Sequence, residues 1–261
     1  MKYKLIGMDF DGTLLNDDKK VSKITEEKLK ALKEEGYKIV GVTARTLAGS
    51  KGNVPLEMFN YVIINNGVSI YDVERKTEDW LGYISQDEAK EIIEIIKSKS
   101  DQIDIISENN YYTLVKKKNS PLPFIIDIDK VEEVDETIAR MNIFLKSCEN
   151  VQQHYEELTE KFPNINCFIM QDSGSDYQWL IINPKGINKS ETLKYLGEKL
   201  NISLDEMIFF GDGLNDLEAM QEVGMSVAMG NALAEVKKHA NEVTDTNNND
   251  GIAKFLSKTL I

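Results

Sequence analysis

The first apolar run, Tyr3 to Met8, stops at Asp9-Phe10-Asp11-Gly12-Thr13-Leu14. A charged amphipathic segment, Thr25 to Glu35, then leads to a second apolar run, Tyr37 to Val42, that stops at Thr43. Strand, helix and strand in that order call for a parallel pair joined by a helical crossover, and such sheets survive only when covered on both faces. Tyr61 to Ile64 adds a strand closed by the turn signal Asn65-Asn66-Gly67. Ser69 to Tyr71 and Glu78 to Trp80 read as a small hairpin around polar Asp72 to Thr77. The far end repeats the pattern: helix Glu191 to Leu200, strand Met207 to Phe210, helix Asn215 to Val223, strand Ser226 to Met229.

The middle reads otherwise. Helix Gln86 to Ser98 precedes strands at Ile103 to Ile106 and Tyr112 to Val115, then polar Lys116 to Ser120 and a Pro121/Pro123 break. Helices near Val131 to Lys146 and Gln153 to Phe162 and adjacent strands Asn166 to Met170 and Tyr177 to Ile182 follow. Paired strands beside helices predict an α+β insert at 82–183, so that 1–81 and 184–261 build one discontinuous α/β core. The length of 261 residues agrees with two domains at about 150 residues each. Asn247-Asn248-Asn249-Asp250-Gly251 reads as a loop.

Lys plus Arg is 31 and Asp plus Glu 44, giving a formal charge of −13. That field repels nucleic acid and anionic membranes, so neither is an expected partner. An anionic metabolite needs a local positive device: a metal, a Lys or Arg, or a helix N-terminus. Cys148 and Cys167 lack zinc spacing and read as reduced, semi-buried thiols, while His154 and His239 stand outside any motif. No apolar stretch reaches the ~18 residues of a membrane span, and no leader pattern stands at the start, so the reading is cytoplasmic.

Asp9 and Asp11 lie two positions apart, where an extended chain points both to one side. Such close carboxylates are costly without a shared cation or proton, and Gly12 lets the chain leave the strand sharply. Asp127-Ile128-Asp129 has the same spacing without Gly-Thr after it and reads as a solvated turn. A second acidic cluster, Gly211-Asp212-Gly213-Leu214-Asn215-Asp216, also follows an apolar strand and opens a helix. Helix capping accounts for one of Asp212, Asn215 and Asp216 but not for all three. Hard oxygen groups gathered at a sheet edge suit Mg²⁺. Lys189, entering a helix in Pro184-Lys185-Gly186-Ile187-Asn188-Lys189-Ser190, opposes the macrodipole unless an anion binds there; its plain alternative is a solvated surface lysine. Thr43 offers a hydroxyl and an N–H at the same edge, with Arg45 just beyond.

These segments, Asp9 to Leu14, Val42-Thr43-Ala44-Arg45, Lys189 and Gly211 to Asp216, resemble in order the four motifs of the haloacid dehalogenase superfamily. The central insert, with Asn66-Gly67 before it, is similar to the Cof-type sugar-phosphatase subgroup. The resemblance implies a Rossmann-like parallel-sheet core with a mobile inserted α+β cap that sets substrate specificity. It implies Asp9 as nucleophile, Asp11 as general acid and base, and Thr43, Ala44, Lys189 and Asn215 at the phosphate. Mg²⁺ would be bound by Asp9, the Asp11 main-chain oxygen and Asp212, with Gly12, Arg45, Asn66, Gly67 and Asp216 in support. Ala44 and Ser190 stand where the family often has glycine, which bears on loop geometry but removes no functional group. The expected activity is hydrolysis of small phosphorylated metabolites by a monomer or weak homodimer. The alternatives are a phosphomutase-like transferase, against which the single cap arginine, Arg140, speaks, and a non-catalytic metabolite-binding protein.

Overall fold

A computed structural model describes residues 2–52, 54–107, 110–114, 125–146, 149–171 and 178–260. The chain divides into two compact units, Met1–Asp79 with Asn188–Ile261, and Trp80–Ile187. In the first, β1 (Leu5–Met8), α1 (Lys23–Glu34), β2 (Lys38–Val42), α2 (Leu47–Lys51) and β3 (Tyr61–Ile64) alternate. β1 is buried throughout, and β2 and β3 from their second residues onward, which is why they read as unbroken apolar runs. Ser22 starts α1 by accepting the Thr25 N–H at 3.1 Å, satisfying a first-turn donor that has no partner within the helix. β4 (Ser69–Asp72) runs back antiparallel to β3, and β5 (Thr77–Trp80) lies beside it.

The unit Trp80–Ile187 holds α3 (Gln86–Ile96), β6 (Ser100–Ser107), β7 (Tyr111–Leu114), β8 (Ile125–Asp127), β9 (Ile138–Leu145), α4 (Val151–Lys161), β10 (Ile165–Gln171) and β11 (Gln178–Pro184). Its sheet has the order β10-β11-β9-β6-β7-β8, antiparallel except for β7 with β8. Alternate strand residues Ile103, Ile105, Met141, Ile143, Leu180 and Ile182 share a core with Ile92 and Ile96 of α3 and Leu158 of α4. Each such side chain contributes about 1.5–3 kcal/mol on burial.

The helix expected over Val131 to Lys146 does not form. Val131–Glu133 is one 3-10 turn, and Ile138–Leu145 is β9, between β11 and β6. Val131, Val134, Ile138, Met141 and Leu145 recur at helical spacing, and that pattern competes with the period of two in Ala139-Arg140-Met141-Asn142-Ile143. Asp127 closes β8 and Ile128 is buried, so the segment begins as a strand end rather than a turn, while Asp127 and Asp129 are both exposed, as expected. Val115, Lys116 to Ser120, Pro121, Pro123, Cys148 and Tyr177 lie outside the described residues. Cys167 is buried rather than half-buried, and burial pushes its thiol up to about 12.

The chain completes the first unit with α5 (Lys189–Leu200), β12 (Met207–Gly211), α6 (Leu217–Glu222), β13 (Met225–Ala228), α7 (Ala234–His239), β14 (Glu242–Val243) and α8 (Gly251–Thr259). The sheet order is β14-β13-β12-β1-β2-β3-β4-β5, parallel from β14 through β3. Strands are added outward from β1 on both sides, so the order reverses between β1 and β12, where Met8 is in register with Phe210. Ligands of open parallel sheets bind beyond the carboxyl ends of the strands at such a point. The expected loop at Asn247 to Gly251 is instead a 3-10 turn running into α8. Asn247 is buried there and donates to the Leu15 carbonyl at 2.9 Å, fastening the segment that follows β1. Among the described residues, no helix is long and apolar enough to cross a membrane.

Candidate active site

Asp9 is the first residue past β1. Its N–H donates to the Phe210 carbonyl at 3.0 Å, extending the ladder toward β12 by one rung. Asp212 is the first residue past β12. Lys189 opens α5 behind its cap Asn188, whose side chain accepts the Glu191 N–H at 2.8 Å. The Lys189 ammonium donates to Asp9 Oδ1 at 2.6 Å and to Asp216 Oδ1 at 2.7 Å. The lysine side chain is only 2% exposed, so the surface-lysine alternative is set aside. Asp216 Oδ2 accepts the N–H groups of Asp212 and Gly213 at 3.2 and 3.1 Å. One carboxylate thus fixes both the lysine and the loop after β12. Thr13 Oγ1 donates to Asp212 Oδ1 at 2.7 Å.

Gly12 sits at φ 80°, and a Cβ there would lie 2.3 Å from Asp212 Oδ2. Alanine is therefore strained twice, by the left-handed backbone and by the carboxylate. Gly12→Ala is expected to lower the thermal midpoint by several degrees, the equivalent of about 1–3 kcal/mol. A melt that does not shift would show that the loop has room to give.

Asp9, Asp212 and Asp216 each place a carboxylate oxygen within 4.8 Å of the others. One ammonium faces three carboxylates, leaving two negative charges in a buried volume. Burial pushes Asp9 well up against the pull of Lys189, with Asp216 and Asp212 pushing the same way. Asp212 is pushed up to about 6 by burial, against the Thr13 hydrogen bond. Burial alone would lower Lys189, but Asp216 and Asp9 outweigh it and hold the lysine above its ordinary value, so it is charged. A divalent cation fits this deficit. Both Asp216 oxygens are already taken, whereas Asp9 Oδ2 and Asp212 Oδ2 accept no hydrogen bond among the described residues. Two hard carboxylate oxygens are a donor set that suits Mg²⁺.

Asp11 is more open. Arg45 grips it with Nε on Oδ2 at 2.7 Å and Nη2 on Oδ1 at 2.6 Å, and Lys19 Nζ reaches Oδ1 at 3.0 Å. Burial raises Asp11, but Arg45 and then Lys19 outweigh it and hold the carboxyl below its usual range.

Thr43 is buried at the end of β2, its hydroxyl accepting the Arg45 N–H at 3.1 Å and its carbonyl the Asn66 N–H at 3.0 Å. Ala44 occupies the half-buried step between Thr43 and Arg45. Asn65, Asn66 and Gly67 all have positive φ. The Gly67 carbonyl accepts the Thr192 hydroxyl at 2.7 Å, and a Cβ on Gly67 would lie 2.3 Å from the Asn188 carbonyl. This turn therefore braces the start of α5 and with it Lys189. Asn215 is half-buried in a 3-10 turn, and its side chain makes no hydrogen bond among the described residues. Sequence reasoning missed three contributors: Thr13 as a partner of Asp212, Lys19 as a partner of Asp11, and Asn231, whose Nδ2 donates to the Gly12 carbonyl at 2.7 Å. Thr13 stood inside a recognised motif, whereas Lys19 and Asn231 had no local signal.

The family model of haloacid dehalogenase-like hydrolases matches residues 6–256. A 5-amino-6-(5-phospho-D-ribitylamino)uracil phosphatase of Bacillus subtilis is 30% identical over 264 residues, covering 97% of this chain and 94% of that protein. The crystal structure of a haloacid dehalogenase-like hydrolase from Bacteroides thetaiotaomicron superposes with a TM-score of 0.81 at 28% identity, covering 98% of this chain and 99% of that one. A HAD subclass IIB sugar phosphatase shares the fold with a TM-score of 0.81 at 23% identity, covering 98% of each chain.

Proposed function

The chain belongs to the haloacid dehalogenase-like hydrolases and hydrolyses phosphoric monoesters, and on that premise we propose that it dephosphorylates small metabolites, sugar phosphates or related, by way of Asp9 and with Mg²⁺. The observation that carries this reading is the buried contact of Lys189 with both Asp9 and Asp216, beside Asp212, at the reversal point of the sheet. One carboxylate oxygen of Asp9 attacks phosphorus while the bond to the leaving oxygen breaks, and that oxygen takes a proton from Asp11, which must first be protonated against the pull of Arg45 and Lys19. Water then attacks the aspartyl phosphate, the bond from Asp9 to phosphorus breaks, and Asp11 takes up the proton. An ammonium has three donors, and Lys189 spends two on carboxylates, so the third serves a phosphate oxygen. The hydroxyl of Thr43, the backbone at Ala44 and the side chain of Asn215 are assigned to the same phosphate. Asp9, Asp212 and the Asp11 main-chain oxygen would hold Mg²⁺, which when bound offsets the repulsion between the carboxylate and the phosphate. Choice of leaving group is assigned to residues 82–183.

Hydrolysis of p-nitrophenyl phosphate, then of a panel of sugar, sugar-alcohol and nucleoside phosphates, tests the proposal. Excess EDTA is expected to lower turnover more than about 100-fold, because several kcal/mol of charge stabilisation are lost, and added Mg²⁺ should restore it. Full activity in EDTA would remove the metal from this reading.

A further inference from the structure

The loop that follows β13, residues 229–233, reaches both of the loops that carry the carboxylates. Its Leu233 N–H donates to the Asp212 carbonyl at 3.2 Å, and its Asn231 side chain donates Nδ2 to the Gly12 carbonyl at 2.7 Å. The loop is itself fastened. The Met229 N–H donates to the Gly211 carbonyl at 3.1 Å, the Gly230 N–H to the Asp245 carbonyl at 3.0 Å, and Lys237 Nζ to the Gly230 carbonyl at 2.6 Å. Asn231 Oδ1 accepts the Asn247 N–H at 3.0 Å, and Asn247 Nδ2 donates to the Leu15 carbonyl at 2.9 Å. Two linked asparagines from the far end of the chain thus hold two carbonyls of the turn at residues 12–15.

We infer that Asn231 is a positioning residue for the metal site: by holding the Gly12 carbonyl it sets the turn that carries the Asp11 main-chain oxygen, from the same loop that holds Asp212. The inference rests on the assignment of Asp9, Asp212 and the Asp11 main-chain oxygen to Mg²⁺ above and deepens it. The Asp11 carbonyl belongs to the peptide plane that joins Asp11 to Gly12. Gly12 lies at φ 80°, and a residue without a Cβ has more backbone freedom to lose than any other, so contacts from outside must set this plane. Among the described residues the Gly12 carbonyl accepts one donor, Asn231 Nδ2. On its other side the turn is tied to Asp212 itself, through the Thr13 hydroxyl. Mg²⁺ demands near-ideal octahedral geometry, so slack in this turn is felt as lost metal affinity. Asn231 carries no charge and is exposed. It neither neutralises the carboxylates nor fills the core, and its contribution to the site is the hold on Gly12.

The test reads Mg²⁺ binding without substrate, from the rise in thermal midpoint of the full-length, metal-stripped protein as Mg²⁺ is added, and sets it beside kcat as a function of Mg²⁺. Asn231→Ala is expected to need about 10–100-fold more Mg²⁺ for the same rise, the usual scale for a residue that orients a ligand. At saturating Mg²⁺ its kcat should return to within about threefold of wild type. Asn248→Ala is the structural control, because it breaks the bonds of 3.0 and 2.9 Å to Asp17 at the same clasp without touching Gly12. Both variants should melt a few degrees lower in the absence of metal, and only Asn231→Ala should lose affinity for Mg²⁺. Asn231→Gln, which keeps the amide, should recover part of that loss. A Mg²⁺ response in Asn231→Ala equal to that of wild type, or equal losses in Asn231→Ala and Asn248→Ala, would overturn the inference and leave Asn231 a loop tether. A wild type that gives no response, or Asp212→Asn responding as strongly as wild type, would sink the metal reading and this one with it. A response abolished in Asp212→Asn but intact in Asn231→Ala sinks this one alone.

Discussion

Asp9→Asn is expected to abolish turnover of every phosphate monoester, by on the order of 10⁵-fold or more, the scale on which removing a covalent nucleophile acts. The amide cannot form an acyl phosphate. Its loss is also nearly isosteric, and the contact between Lys189 and Asp216 remains to hold the site together. Asp11→Asn is expected to differ in kind. It keeps the nucleophile and loses the proton carrier, so phosphorylation of Asp9 should survive better with p-nitrophenyl phosphate than with a sugar phosphate, by about 100-fold. Hydrolysis of the aspartyl phosphate would remain slow for want of a base. Rapid quench should then show a p-nitrophenol burst near one equivalent of enzyme, followed by slow release. A burst from Asp9→Asn with none from Asp11→Asn would exchange the two roles.

The alternation of strands and helices in the first unit was legible because its central parallel strands are buried on both faces and stand out as apolar runs between charged helices. The motif residues were legible for the same reason, since each closes one of those runs: Asp9 after β1, Thr43 after β2, Asp212 after β12. Burial of that kind served less well in the other unit. Ile138–Leu145 is equally buried and carries a period of two, with Ala139, Met141, Ile143 and Leu145 on one face and Arg140 and Asn142 on the other, yet Val131, Val134, Ile138, Met141 and Leu145 also recur at helical spacing and favour a helix over the longer segment. The pairing of Asp11 with Arg45 could be guessed from two motifs. The part played by Lys19 could not, because it depends on a turn held by Asn16 and on Asp17 meeting Asn248 from the far end of the chain. From its place at the start of a helix, Lys189 is expected to need a bound anion to offset the macrodipole. The structure shows two protein carboxylates already meeting that need.

Lys189→Met should therefore damage stability as well as catalysis, and the two losses can be separated by pH. Removing one partner from a buried ion cluster leaves uncompensated charge and costs about 3–5 kcal/mol, here Asp9 and Asp216 without their shared cation. For a chain of this size that is a fall of about 10 °C in thermal midpoint. In the wild type the folded value of Lys189 is raised, so its contribution is fully present below the unfolded lysine value and is lost only as pH rises through the folded one. It is thus constant across the acid and neutral range. The carboxylates respond in the opposite sense. Burial already pushes Asp9 up despite Lys189, and without the lysine it rises further, so acidification protonates it and relieves the penalty. The stability gap between variant and wild type should be widest at high pH and should close as pH falls and Asp9 takes up a proton. Activity should not return with the stability. kcat/KM should stay down by about 10³-fold at every pH, because the cation proposed to meet the phosphate in the transition state is gone. Denaturation of both proteins across the pH range, set beside kinetics under the same conditions, decides the matter: a gap that does not change with pH would mean that Lys189 stabilises by packing rather than by charge.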